Sequence, residues 1–383
     1  SNDEPLAPSA LLSELIDTLA AMSGQRSSEW AAKHVLQHPL QAFSPRYFSA
    51  DSLSDGLISS RSDYAAALNQ PQAQTAAFFS APLNEAATDA VIEQENFLRF
   101  WRNPVRHWLQ HTLSWHAPYA DEAWDAAEPF DPPHSGRITE AYTQARRTHQ
   151  DFGQTASRLS AESLLPEGEL GHLWQQQFQA AAKSLDGELL TSPKLPPQPY
   201  RLSLGENTLE GSLGHLHRHG QIYFLNRTPS APDMLAYLLQ HLIFCAVHPH
   251  EHPECRTHLL LPGQSQTLAD IPQAAARAQL AQWLAYFRLG QSRPLPFFAK
   301  TGLAVAEVLS SNKADSLERA QQSARSEYHG SKKSTGQRDY IEVDLVFGRD
   351  SVEPIDTPLF WNLLEDLPVP LLQALQAEAP SAD

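Results

Sequence analysis

A long apolar segment flanked by shorter alternating segments constrains the fold most strongly. Residues 231–247 are almost all apolar, which predicts a helix buried around most of its circumference. The alternating stretches 200–204 and 209–216 predict two strands before this helix. Short apolar runs at 222–225 and 257–261 predict one further strand on each side of it. Together with helical patterns before and after, this order predicts an α/β or α+β domain.

The N-terminal part has a different pattern. Apolar residues at helical spacing predict one helix over 11–22, and two prolines make 38–48 an extended, turn-rich segment. Residues 51–89 are rich in Ala, Ser and Gln and suit a connector. We therefore expect a helix and connector in residues 1–90 and the main domain in residues 91–383.

Composition restricts the class of protein. The 28 Lys and Arg against 44 Asp and Glu give a net charge of −16, which argues against a free-standing, nonspecific DNA-binding protein. A local basic channel on an acidic body remains compatible with that charge. No apolar run approaches the ~20 residues of a membrane span. With only two cysteines, a disulfide framework is not expected, and a reducing cytoplasm fits best.

Five separated stretches resemble the RecC family, the gamma subunit of exodeoxyribonuclease V. They are residues 38–48 (HPLQAFSPRYF), 100–106 (FWRNPVR), 165–171 (LPEGELG), 238–246 (LLQHLIFCA) and 294–298 (PLPFF). Their order and spacing cover most of the chain, and the match is poor after Tyr328. The resemblance is to the C-terminal portion of the family, without its large helicase-like regions.

The resemblance implies a part of a heterotrimeric helicase–nuclease that resects double-strand breaks for homologous recombination. It implies the alpha and beta subunits as partners and single-stranded DNA as the nucleic acid. It also implies a PD-(D/E)XK nuclease-like fold in the main domain. ATP and Mg²⁺ are then expected in the partner subunits, and no cofactor in this part.

An active nuclease of that fold needs an Asp on one strand of a hairpin and an Asp/Glu-x-Lys motif on the next. The carboxylates hold Mg²⁺, which activates water and stabilises charge on the phosphate. Matching the hairpin puts Gly214, Asn226 and Thr228 at these three positions. None supplies a charged ligand or a cation, so we predict a nuclease fold without catalytic residues.

Basic residues are the candidates for contact with the phosphate backbone. Arg102 and Arg106 lie four apart beside Trp101 in a stretch that matches the family, and Lys300 follows the apolar stretch 294–298. That stretch suits either a partner-binding segment or core. The alternatives are the group Arg99 and His107, the group Arg146, Arg147 and His149, and the pair Lys332 and Lys333. Ordinary surface charge or interdomain salt bridges are slightly favoured, and Arg102 and Arg106 are the better candidates for DNA contact.

Three further groups contain potential metal ligands. They are the alternating His215, His217 and His219, the His-rich run 248–255 with Cys255, and Glu342 with Asp344 on a predicted strand over 340–347. The ligands of tetrahedral sites usually come from two elements, and the His-rich spacing fits no standard zinc motif. We expect solvated strand faces and a surface loop, and no metal.

Three functions remain open. The first is a non-catalytic module that guides single-stranded DNA and holds the alpha and beta subunits together. The second is an active Mg²⁺-dependent nuclease whose carboxylates, Glu342 and Asp344 for example, lie elsewhere. The third is a docking platform for the partner subunits without DNA contact.

Overall fold

The structure is a computed structural model, and it describes residues 9–49, 51–69, 77–79, 81, 83, 91–116, 134–251, 254–311, 315–331 and 334–377. The chain divides into two compact units, residues 1–75 and 76–383. The predicted domain boundary after residue 90 adjoins residues 84–90, which lie outside the described part, and it stays a prediction.

The first unit is helical. It contains α1 (Ala10–Met22), α2 (Ser27–His34) and α3 (Ser62–Asn69), with a single 3-10 turn at Pro45–Tyr47. The amide of Leu12 donates to Ser9 Oγ at 3.3 Å, so a serine side chain caps the start of α1. The helix predicted over 11–22 is therefore confirmed.

The second unit contains thirteen further helices and nine strands in its described residues. The strands are β1 (Val91–Glu93), β2 (Gln198–Leu204), β3 (Asn207–Leu213), β4 (Leu216–His217), β5 (Gly220–Phe224), β6 (Thr257–Leu260), β7 (Gln266–Leu268), β8 (Gly330–Ser331) and β9 (Ser334–Thr335). The first helices are α4 (Gln94–Arg102), α5 (Pro104–Leu113), α6 (Ser135–Arg147), α7 (Phe152–Ala161), α8 (Glu169–Lys183), α9 (Gly187–Thr191) and α10 (Ala231–Val247). The others are α11 (Gln273–Ser292), α12 (Ala299–Ser310), α13 (Ser316–His329), α14 (Ile341–Phe347), α15 (Pro358–Asp366) and α16 (Pro368–Ala377). Mixed α and β structure is confirmed. Among these helices, none combines the length and the apolar character needed to cross a membrane.

Two small sheets carry the strands on each side of α10. One has the order β1-β3-β2, and the other has the order β4-β5-β6-β7. Strands β5 and β6 are parallel and α10 connects them, as expected for a βαβ unit. The predicted strand over 209–216 is interrupted, because β3 ends at Leu213 and β4 belongs to the other sheet. His215 lies at the break with a φ of 56°.

The main core forms around α10, whose side chains are buried on almost every face. At the centre, the Trp101 ring packs edge-on against Trp283 and Phe297, with centroids 4.6 Å and 5.3 Å apart. Phe297 and Phe298 are both buried in this core. Their burial favours the interpretation of residues 294–298 as core over a partner-binding segment.

The strand predicted over 340–347 is wrong, because these residues form helix α14. The alternation of apolar and acidic residues is compatible with both structures over such a short segment. Val343 and Val346, three residues apart, face the core, and Glu342 is buried as well. Tertiary contacts of these three side chains therefore override the strand-like pattern.

Candidate functional site

The stretch that joins α4 to α5 is a structural joint. Phe100 and Trp101 are fully buried at the end of α4. The Asn103 side chain accepts a hydrogen bond from the amide of Arg106 at 3.0 Å and so caps α5. Pro104 occupies the first position of α5, where its missing N–H costs no helical bond. Helix packing and capping thus account for most of the FWRNPVR stretch.

Arg106, one of the predicted DNA contacts, is bound to a buried carboxylate. Its Nη2 lies 2.8 Å from Glu342 Oε1, and its Nε donates to the same oxygen at 3.1 Å. Asn103 Nδ2 donates to this oxygen as well, at 2.7 Å. Glu342 is 1% exposed, whereas the Arg106 side chain is 51% exposed. Arg106 therefore neutralises a carboxylate that would otherwise be buried without a counter-ion.

The other two predicted DNA contacts are also paired with carboxylates. Arg102 lies 3.3 Å from Asp233 on α10, and Lys300 lies 2.9 Å from Glu327 on α13. Asp233 is shared with Arg227, at 3.7 Å. Asp233 and Glu327 are 26% and 31% exposed, against 1% for Glu342, so these pairs are weaker constraints than the Arg106 pair. A role of Arg102, Arg106 and Lys300 in DNA binding stays a prediction.

The three positions matched to the nuclease motif lie near the two ends of the β4–β5 pair. Gly214 lies between β3 and β4, and its carbonyl accepts a hydrogen bond from Gln221 Nε2 at 3.0 Å. Among the described residues, no heavy atom lies within 4 Å of the place for a Cβ at Gly214, so a larger side chain has room there. Asn226 and Thr228 follow the end of β5 and are exposed. The assignment of these positions stays a prediction.

A cavity of about 220 Å³ opens beside Asn226. Arg147, Phe224, Asn226 and Tyr237 line it, together with one carboxylate, Glu140. Arg102 and Arg227 do not line the cavity but act electrostatically on Tyr237. We call the set Arg102, Arg147, Phe224, Asn226, Arg227 and Tyr237 the β5 rim. The Arg147 guanidinium lies over the Phe224 ring, 4.4 Å from its centroid. Within the described part of the chain, no carboxylate lies within 4.0 Å of Arg147, unlike Arg102 and Arg227. Arg147 donates a hydrogen bond to Gln144 Oε1 at 3.4 Å, so among the described residues the rim presents a cation without an ion-pair partner beside aromatic side chains.

The charged residues near the rim all affect the pKa of the Tyr237 hydroxyl. Burial raises the pKa of the Tyr237 hydroxyl above its ordinary value, and Asp233 raises it further, whereas Arg102 and Arg227 oppose this shift. The three charged residues are therefore close enough to influence one hydroxyl. Sequence reasoning named Arg147 only as an alternative and missed Phe224 and Tyr237. Phe224 is an aromatic residue at the end of a strand and Tyr237 is one in an apolar helix, and both patterns are too common to single out a site.

A line of buried polar groups lies behind the rim. Gln221 Nε2 donates to Gly214, and Gln221 Oε1 lies 3.4 Å from Thr257 Oγ1. The ring of His241 contacts Thr257 Oγ1 at 2.9 Å through Nδ1 and the carbonyl of Ala269 at 2.8 Å through Nε2. A carbonyl can only accept, so Nε2 carries the proton and Nδ1 accepts from the threonine. These contacts hold β5, β6 and α10 together.

The structure places the potential metal ligands differently from the solvated strand faces expected from the sequence. His217 is buried and bonded to the carbonyl of Ser192 at 2.8 Å, whereas His215 and His219 are exposed, so the three do not share a solvated face. Glu342 and Asp344 lie on a helix two residues apart and hence on different sides. Lys332 and Lys333 lie outside the described residues.

A second, larger cavity of about 680 Å³ lies at the edge of the three-stranded sheet. Its lining includes Glu93, Glu95 and Glu210 together with Tyr200. Three carboxylates repel phosphate, so this cavity does not suit a nucleic-acid backbone.

Residues 89–310 match the RecC C-terminal domain family. The chain belongs to the RecC family. RecC is the gamma subunit of the RecBCD complex, so the chain is a component of that kind of DNA-repair complex. The match includes the β5 rim and both sheets, and it ends at the last residue of α12. No curated protein matches the chain significantly.

Proposed function

We propose that this RecC domain is a non-catalytic, DNA-guiding module of the RecBCD helicase–nuclease, in the cytoplasm. In this role it holds the alpha and beta subunits and directs single-stranded DNA past them during double-strand break repair. ATP and Mg²⁺ then act in those partner subunits, and this domain needs neither of them. The observation that carries the DNA-guiding role is the placement of Arg147 over Phe224 beside Asn226.

The non-catalytic part of the proposal depends on the chemistry at Gly214, Asn226 and Thr228. The antiparallel β4–β5 pair followed by the β5–α10–β6 crossover is compatible with a PD-(D/E)XK nuclease core. In such a core, Gly214 and Asn226 occupy the positions of the two carboxylates that would bind Mg²⁺, and Thr228 occupies the position of the lysine that would assist catalysis. We propose that the fold is retained as a scaffold for DNA while its chemistry is lost.

The DNA-guiding part depends on the β5 rim. Proteins that bind single strands without sequence preference combine cations along the backbone path with aromatic faces for the bases. Arg147 supplies a cation and Phe224 and Tyr237 supply aromatic side chains in the lining of one small cavity, and Arg227 adds a second cation that acts on Tyr237. A local site of this kind is compatible with a net charge of −16, because screening confines each charge to about 10 Å.

The test measures anisotropy of a fluorescent oligothymidine with the purified chain at several salt concentrations. We expect binding at low salt that weakens as salt rises, with the slope set by the phosphates contacted. Arg147→Ala should weaken binding about tenfold and make the affinity less dependent on salt, because the variant loses one cation and hence about one phosphate contact. The matched control is Arg349→Ala, which removes an exposed arginine from the turn after α14.

Two outcomes contradict this proposal. A protein that binds no oligothymidine at low salt, or whose Arg147→Ala and Arg349→Ala variants bind equally, favours a docking platform without DNA contact. Mg²⁺-dependent cleavage of linear DNA by the purified chain, lost in a Glu342→Gln or Asp344→Asn variant of normal stability, favours the active nuclease. Glu342 and Asp344 lie in helix α14 on different sides, which supports the non-catalytic proposal over that alternative.

A further inference from the structure

Both cysteines of the chain converge at the C-terminal end of α10. Cys245 Sγ, Cys255 Sγ and a carboxylate oxygen of Asp270 all lie within 4.8 Å of one another. Both cysteines are fully buried, and Asp270 is half-buried. His248 Nδ1 lies 3.6 Å from Cys255 Sγ. Three side chains that bind metals thus surround one small volume, and His248 lies beside it, next to Cys255.

These four residues come from three separate parts of the chain. Cys245 lies in the last turn of α10, and His248 follows directly as its C-terminal cap with a φ of 50°. Cys255 precedes β6 by two residues, and Asp270 lies between β7 and α11. His248 and Cys255 belong to the His-rich run 248–255, whereas Cys245 and Asp270 lie outside it. Ligands from several elements are typical of a structural metal site.

We propose that Cys245, Cys255, His248 and Asp270 bind one structural Zn²⁺ ion. Tetrahedral zinc, with Zn–S near 2.3 Å and Zn–N or Zn–O near 2.0 Å, places its ligand atoms about 3.3–3.8 Å apart. The two sulfurs and the Asp270 oxygen therefore need to move by only about 1 Å to reach that geometry, and His248 moves from its place beside Cys255 to complete it. On binding, each thiol releases its proton to solvent, and Zn²⁺ forms bonds to two thiolates, one imidazole and one carboxylate.

His241 lies beside the cluster, with Nε2 at 3.5 Å from Cys245 Sγ, and it is not one of the ligands. Both of its ring nitrogens are used, by Thr257 Oγ1 and by the carbonyl of Ala269. His250, in the same loop as His248, is exposed and turns away from the buried volume. The ligand set therefore includes His248 and excludes His241 and His250. Substitution of a ligand and substitution of a neighbouring histidine should then have different effects on metal binding.

The thiols otherwise make only long hydrogen bonds. Cys245 Sγ donates to the carbonyl of Cys255 at 3.7 Å, and Cys255 Sγ donates to the carbonyl of Phe244 at 3.7 Å. Two thiolate bonds to Zn²⁺ are far stronger than such contacts. With four protein ligands and no open position, the ion is structural: it ties the end of α10 to β6 and to the start of α11.

The experiment measures the metal content of the untagged 383-residue chain by mass spectrometry after exhaustive dialysis. We expect about one zinc per chain, and a large loss of zinc in Cys255→Ser and Asp270→Asn. The matched control His250→Ala should keep its zinc. Replacing zinc by Co²⁺ should give the thiolate charge-transfer bands and the strong visible bands of a tetrahedral site.

Each other outcome overturns the proposal. The wild-type chain without zinc and without tetrahedral Co²⁺ bands has no such site, whether or not the variants fold. Zinc retained in both Cys255→Ser and Asp270→Asn is bound elsewhere. A thiol titration in denaturant that finds no free thiol shows a Cys245–Cys255 disulfide in place of the metal. Removal of zinc by a chelator should also lower the Tm by several degrees, since metal binding is coupled to folding.

Discussion

Arg106 on α5 forms its ion pair with Glu342 on α14, a residue 236 positions away in the sequence. Glu342 is buried, and one of its oxygens accepts hydrogen bonds from both Arg106 and Asn103. The pair joins a helix inside the family-matched region to one beyond it, because the match ends at residue 310. Helix α14 is therefore attached to the family-matched region by charge as well as by the apolar core.

Arg106→Ala should destabilise the chain by about 1–3 kcal/mol, because it leaves the buried Glu342 carboxylate with Asn103 as its partner. The partial exposure of Arg106 keeps this below the full cost of an unpaired buried charge. Urea unfolding, followed by fluorescence of the buried Trp101 and Trp283, measures the change. Arg99→Ala, which breaks an exposed pair with Glu95, should cost less than about 1 kcal/mol. Equal stability of the two variants would show that the Glu342 pair is unimportant.

Gly290→Ala should destabilise the chain even though alanine is the better helix former. A Cβ at position 290 would lie under 3 Å from the ring of Phe100, which is itself fully buried. Overpacking of this kind costs about 1–3 kcal/mol. Gly187→Ala, in α9, has no described heavy atom within 4 Å of its new Cβ and should be neutral or stabilising. A more stable Gly290→Ala protein would contradict the packing between α4 and α11.

Stability should fall as the pH is lowered from 8 to 5, in part because of His241. Burial lowers the pKa of His241 to about 4 in the folded chain, against 6.5 for the unfolded chain. The unfolded state therefore binds the proton first, so the stabilisation is present above pH 6.5 and is lost as the pH falls towards 4. The loss from this one residue is about 2 kcal/mol at pH 5.

Urea unfolding at a series of pH values measures this dependence. His241→Gln should flatten the decline between pH 7 and 5, although it lowers stability at pH 7. The exposed His172→Gln variant on α8 should keep the wild-type slope. His107, whose pKa burial lowers to about 3, should contribute a second part of the decline that persists in His241→Gln. A slope unaffected by His241→Gln would be inconsistent with a neutral, hydrogen-bonded His241.

Asp233→Asn should strengthen binding of oligothymidine about two- to five-fold at low salt, since it removes one negative charge beside the β5 rim. The substitution frees Arg102 and Arg227 while keeping the shape of the side chain. Glu95→Gln frees Arg99 in the same way on the surface of α4 and should leave the affinity unchanged. An unchanged affinity in Asp233→Asn would place the DNA path away from Arg102 and Arg227.

The sequence was sufficient for elements whose pattern is local. The helices α1 and α10 and the strands β2 and β6 follow from periodicity over a few residues, and the structure confirms them. The absence of charged residues at Gly214, Asn226 and Thr228 is likewise visible in the sequence itself. Resemblance in separated stretches indicated the RecC family, which the match over 89–310 then showed.

Tertiary structure decided what depends on distant partners. A seven-residue segment such as α14 has no pattern of its own strong enough to exclude a strand, and its burial against α5 determines the helix. The pairing of Arg106 with Glu342 and the convergence of Cys245 with Asp270 depend on how the elements pack. Periodicity reports which side of an element is apolar, whereas the partner of a charged or sulfur-containing side chain is set by packing between residues far apart in the chain.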